Sequence, residues 1–98
     1  MYIKIHRSYR NVVAVCDSNL IGKRFEEGKR QLDIRENFFK GEEVGMEGAV
    51  KLLRRQLQED STFNIIGKDS INACIEAGVI KKGEVDEIDG IPFAIVLI

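Results

Sequence analysis

Residues 11–17 read Asn-Val-Val-Ala-Val-Cys-Asp, and the β-branched run at Val12, Val13 and Val15 constrains this chain more than any other stretch. A strand with one wet face alternates apolar and polar residues, whereas a continuous apolar run belongs to a strand covered on both faces. The preceding residues 2–7, Tyr-Ile-Lys-Ile-His-Arg, do alternate, with Ile3 and Ile5 facing one way and Lys4 and His6 the other. With the polar break Ser8–Asn11 between them, the two segments predict an N-terminal β-hairpin. A length of 98 residues fits one domain, residues 1–98, with a single core that needs no metal or disulfide.

The remaining pattern mixes both periods. Residues 18–30 are punctuated by Gly22 and Gly28 and are expected to form a loop, with a short helical turn near Asp17–Leu20 that Asp17 and Ser18 can cap. Residues 30–35 return to alternation, Leu32 and Ile34 pointing inward, as a third strand. The connection at 36–45 must bury at least one ring of Phe38 and Phe39. Met46, Val50, Leu53 and Leu57 then mark one apolar stripe of a helix from about Met46 to Gln58, with Lys51, Arg54, Arg55 and Gln58 on its wet side and Glu47 placed to pair with Lys51. Ile71, Cys74 and Ile75 predict a second helix, starting near Gly67 or Lys68, with Asp69 in its first turn and Gly78 at its stop. Asp89-Gly90 predicts a hairpin turn between Val85–Ile88 and Phe93–Ile98, the latter too apolar for a sheet edge. The expected fold is α+β: a mostly antiparallel sheet of about five strands with two helices packed on one face.

Chemistry is less legible. The triplet Ile-Gly-Lys occurs at 21–23 and again at 66–68, and resembles the end of a phosphate-cradling loop. Such a loop needs a glycine five residues earlier and a hydroxyl residue after the lysine. Those places hold Asp17 and Arg24 in the first copy, and Thr62 and Asp69 in the second. Neither copy is a nucleoside-triphosphate loop. The second still offers an anion site at a helix start through Gly67, Lys68 and Ser70. Cys16 and Cys74 lack paired metal-ligand spacing and read as small buried hydrophobes. His6, the single histidine, reads as a packing or solvated side chain, and no catalytic residues, metal or cofactor are expected. No apolar stretch is long enough for a membrane span, and the N-terminus lacks the apolar block of a secretory signal, so the expected location is cytoplasmic.

The net charge of −1 hides an asymmetry: residues 1–35 hold eight basic groups against four acidic, and the rest seven against twelve. The basic third, extended to residue 40, also holds Tyr2, Tyr9, Phe25, Phe38 and Phe39, five of the seven aromatics. Cations neutralise phosphates and exposed rings stack on bases. An interaction module that touches RNA or a ribonucleoprotein through Arg7, Arg10, Lys23, Arg24, Lys29 and Arg30 is therefore the favoured reading. A nucleotide or other small molecule at residues 64–70, with the chain acting as a binding protein or enzyme, is the alternative. A homodimer burying an open sheet face is the third.

The segments "VAVCDSNLIGKRFEEGKRQLDI", "FFKGE", "NIIGKDSINACIEAGVI" and "EVDEIDGIPFA", in that order and spacing, resemble the archaeal "domain of unknown function 424" family over essentially the whole chain. The resemblance implies an archaeal, cytoplasmic, stand-alone domain and brings no activity with it. Similar proteins often carry histidine where this chain has Phe93, which implies one of two things: a histidine that serves chemistry in relatives is lost here, or the position needs only a flat ring.

Overall fold

Tyr2–His6 (β1) and Val12–Cys16 (β2) pair as the expected antiparallel hairpin, Ile3 opposite Val15 and Ile5 opposite Val13. In the computed structural model, which describes residues 1–97, this hairpin is part of a six-stranded sheet. A 3-10 turn at Ser18–Leu20 leads to β3 (Arg24–Glu27) and β4 (Arg30–Asp33), then to a single helical turn α1 (Glu36–Phe39) and a two-residue strand β5 (Glu42–Glu43). The helix α2 (Met46–Gln58) is followed by β6 (Thr62–Ile66), α3 (Lys68–Ala77), a second 3-10 turn at Lys82–Glu84, β7 (Asp86–Ile88) and β8 (Ile91–Val96). The order in the main sheet is β5-β1-β2-β6-β8-β7, antiparallel throughout except for the central parallel pair β2 and β6. The fold is α+β, as the sequence predicts. Ile98, the last residue of the expected strand Phe93–Ile98, lies outside the described residues.

Two helices cover one face. Ile3, Val13, Val15, Phe63, Ile65 and Ala94 point from the strands into one buried cluster with Ala49, Val50 and Leu53 of α2 and Ile71, Ala73 and Cys74 of α3. α2 has the predicted bounds, and Lys51 reaches back to Glu47 at 3.6 Å. α3 ends on Gly78 in the left-handed conformation, φ 85°. Burying aliphatic and aromatic side chains is worth about 1.5–3 kcal/mol each, so this layer dominates the stability.

The second face has a different cover. Ala14, Cys16 and Ile66 turn the other way and pack with Leu20, Leu32, Ile34, Phe39 and Ile88. This explains the unbroken apolar run of β2: Val13 to Cys16 are all buried, alternately on opposite faces. The cover is the β3–β4 hairpin with α1. Here the sequence reading needs correction, because residues 24–27 are a strand rather than loop. Only Phe25 in β3 is apolar and inward, so there was no alternation to detect; pairing with β4, Phe25 opposite Leu32, creates the strand. The expected third strand, β4, likewise belongs to this separate hairpin and not to the main sheet. The predicted turn at Asp89-Gly90 is present, with φ of 52° and 77° and Ile88 paired to Ile91, as a two-residue hairpin loop requires.

Candidate functional site

Alternation along the strands assigns side chains to the face opposite the helices. From β1 it receives Lys4 and His6, which reach α1: the Lys4 ammonium donates to the Asn37 carbonyl at 2.7 Å, and His6 Nε2 lies 2.8 Å from the Phe38 carbonyl. The His6 ring also stacks on Phe38, centroids 4.5 Å apart, and Phe38 meets Phe39 edge-on at 4.9 Å. His6 is thus a packing side chain that anchors an aromatic wall. From β6 the face receives Asn64 and Ile66, and from β8 Phe93 and Ile95. Between this floor, the Phe38–Phe39 wall and the β4 segment Gln31–Asp33 lies a pocket of about 300 Å³. The face stays open beyond it, where Ile95 is 60% and Leu97 78% exposed.

The six cations singled out by charge fall into two groups. Arg7 and Arg10 sit in the exposed β1–β2 connection, with Tyr9 between them wholly in solvent. Lys23, Arg24, Lys29 and Arg30 sit on or beside the β3–β4 hairpin, all exposed. Arg24 hydrogen-bonds to Gln31 and pairs with Glu26 at 3.1 Å. Arg30 pairs with Asp86 at 2.6 Å and lies 5.8 Å from the centroid of the Phe93 ring. The Asp86 carboxyl is held below its usual range by the Glu87 backbone N–H and then by Arg30. The register fixes where the first group lies: His6 pairs with Val12, Val12 with Thr62, and Phe63 with Val96. The Arg7–Arg10 connection is therefore at the open end of the sheet, where β6 begins and β8 ends.

The second Ile-Gly-Lys triplet does stand at a helix start, and its amides are already occupied. Asp17, expected to cap the 3-10 turn beside it, makes no such bond. Its buried carboxylate instead accepts the N–H of Asp69 at 3.1 Å, the N–H of Ser70 at 2.8 Å and the hydroxyl of Ser70 at 2.7 Å. An internal carboxylate stands where an external anion would dock. Gly67 makes room for it: a Cβ there would lie 2.3 Å from Asp17 Cγ, and its φ of 109° disfavours any other residue. Lys68 stays exposed. Nothing local in the sequence could have revealed this bond, which joins residues 52 and 53 positions apart.

Cys16 and Cys74 are free and buried on opposite faces of the sheet. Burial pushes both thiols up to about 12, with the Asp17 charge a second cause at Cys16. Neither offers a thiolate nucleophile near neutral pH. Among the described residues no three His, Cys, Asp or Glu side chains gather as a metal site requires, and no helix is long and apolar enough to cross a membrane. Sequence reasoning missed Asn64 and Phe93 as neighbours on one open face. The signal was available in Phe63-Asn64-Ile65-Ile66, whose alternation puts Asn64 opposite the two core residues.

The comparisons agree with this architecture. An uncharacterized conserved protein from Methanopyrus kandleri, known from its crystal structure, is similar with a TM-score of 0.88 and 27% identity, over 97% of this chain and 88% of its own. No curated protein matches. The family model described as protein of unknown function, DUF424, matches residues 6–98 and so takes in the aromatic wall, the pocket floor and the Asp17–Ser70 link; this chain belongs to that family.

Proposed function

We propose that this protein is a non-enzymatic interaction module that contacts RNA or a ribonucleoprotein partner in the archaeal cytoplasm. Tyr9 is the observation that carries the reading. It lies fully exposed at the tip of the first hairpin, flanked by Arg7 and Arg10. A tyrosine in water adds nothing to the core, whereas a ring beside guanidinium groups is what base stacking and phosphate neutralisation call for. Lys23 and Lys29 extend the cationic surface. Arg24 and Arg30 add less, because Glu26 and Asp86 share their charge. The archaeal setting draws its support from the Methanopyrus kandleri protein.

The competing reading, a nucleotide or other small molecule at Gly67, Lys68 and Ser70, has less support where Asp17 holds the Ser70 amide and hydroxyl. The preceding residues Asn64–Ile66 line the pocket and favour it more.

The test is binding to a mixed pool of cellular RNA as salt is raised, for the wild type and for Arg7→Ala/Tyr9→Ala/Arg10→Ala. The wild type should lose affinity steeply, and the variant should bind more weakly with a salt slope shallower by about 1.4, the share of two phosphate contacts on a single strand. Salt-independent or absent binding, or a variant indistinguishable from wild type, overturns the proposal.

A further inference from the structure

Asn64 is the polar exception on the pocket floor. It pairs with Ala14 on β2 and Ile95 on β8, and shares its face with Ile66 and Phe93. Among the described residues no partner within the chain takes its side-chain amide, and no buried side-chain polar atom is left without a partner, so the amide is open to the pocket. Replacing it by an aliphatic residue would suit the neighbouring floor better, as apolar surroundings favour apolar side chains. A carboxamide in that place is available to whatever enters the pocket.

What enters must match three features. Two sides are aromatic: Phe38, held by its stack on His6 and its edge contact with Phe39, and Phe93, with the Arg30 guanidinium over its ring; the third is the β4 segment with Gln31, Leu32 and Asp33. Such walls accept a flat ring. The volume, about 300 Å³, stands at the small end of ligand sites and suits a single ring system. Asn64 offers one donor and one acceptor side by side, the pattern that pairs bidentately with a base edge carrying an amino group next to a ring nitrogen. The pocket occupies the half of the sheet away from the Arg7–Tyr9–Arg10 connection, and Asn64 is its nearer edge, two strand residues, about 7 Å, in from Thr62.

We infer that the pocket over β6 and β8 is a nucleobase site, taking an adenine-type ring against Phe93 and Phe38 with its edge read by the Asn64 carboxamide. The inference rests on the nucleic-acid reading of this face and adds to it the place where a single base of the strand is held. A flat ring contributes stacking whatever its identity, while the amide makes the site selective for bases with a free edge.

The experiment is a nuclear magnetic resonance titration of the full chain with AMP, and with AMP dimethylated on its exocyclic amine, for the wild type and for Asn64→Leu. AMP should cause saturable shifts at the Asn64 side-chain amide and at the Phe38 and Phe93 rings. Dimethylation of the ligand, or Asn64→Leu, should each weaken binding about tenfold, and the two together no further. Shifts that avoid the pocket, or affinities indifferent to both changes, overturn the site. Because the probe is a mononucleotide, the two proposals fail separately. Pooled RNA that binds while AMP leaves the pocket unmoved removes the base site alone. AMP seated in the pocket of a chain that ignores RNA removes the RNA reading alone.

Discussion

The two faces of the six-stranded sheet have been closed by different means. On one, α2 and α3 lay continuous apolar stripes over Val13, Val15, Phe63 and Ile65, and the cluster is sealed. On the other, a two-stranded hairpin and one helical turn cover only the part above Cys16, Ile66 and Ile88, leaving Ile95 and Leu97 in solvent. The sealed face holds the larger of the two core clusters. The half-covered face retains aromatic walls, an unpaired amide and cations, which a purely structural layer would not need. The proposed reading divides stability and recognition between the two sides of the same strands, whose successive side chains point opposite ways.

Single substitutions on the two faces should therefore differ widely. Phe63→Ala removes a fully buried ring from the helix-covered cluster and should cost about 3–5 kcal/mol. Ile95→Ala, two strands from the first hairpin on the open face, should change stability by no more than about 0.5 kcal/mol. Urea denaturation of the two variants measures the contrast directly. Equal costs would mean that the open face is as well packed as the other, and the division proposed here would fail.

The next largest effect concerns the junction where both faces meet the start of α3. Asp17→Ala strands the buried amide and hydroxyl of Ser70 and releases the part-buried amide of Asp69, and should cost about 1.5–3 kcal/mol, the range for hydrogen bonds to a charged group. Gly67→Ala should also destabilise, since its Cβ would collide with the same carboxylate. Asp17→Gly sharpens the point. With the carboxylate gone, sulfate should raise the melting temperature of this variant more than that of the wild type, whose site is filled. A variant that melts like the wild type would show that the carboxylate contributes nothing to the helix start.

These contrasts also explain what could be read from residues alone. α2 and α3 were legible because Val50, Leu53, Ile71 and Cys74 recur at the helical period, and Gly78 supplies the left-handed stop. The β7–β8 hairpin was legible because Asp89-Gly90 suits a turn with two positive φ angles. By contrast, β3 carries one inward apolar residue, and the central parallel pairing of Val12 with Thr62 links residues distant in sequence. Neither leaves a local period. The candidate site was partly legible: the cations were visible as charge, but not their division between the first hairpin and β3–β4. Tyr9 was visible as an aromatic, yet type alone favours burial, and its full exposure follows only from its place in the connection. Asp17 read as a local cap because its real partners are in a helix formed half the chain later.

The smallest expected effect tests how firmly the hairpin cover is tied to the sheet beneath it. Arg30 crosses from β4 to Asp86 on β7 while lying over Phe93. The Asp86 carboxyl is held low in the folded protein, first by the Glu87 N–H and then by Arg30, so its folded value lies under the 3.8 of a free side chain. A lowered value means that the folded state favours the charged form: the contribution is complete above about pH 4 and is lost as the pH falls through the folded value. Both partners are largely exposed, so the melting temperature should scarcely respond. The local signal should. Following the Phe93 ring resonances from neutral pH downward should reveal a transition under the usual carboxylate range that disappears in Asp86→Asn. If that transition is present, the pair holds the hairpin over the pocket wall, and acid loosens the cover without unfolding the helix-covered face. If Phe93 titrates identically in the variant, the cover is held by Leu32, Ile34 and Phe39 alone, and the ion pair is a surface accompaniment to an apolar contact.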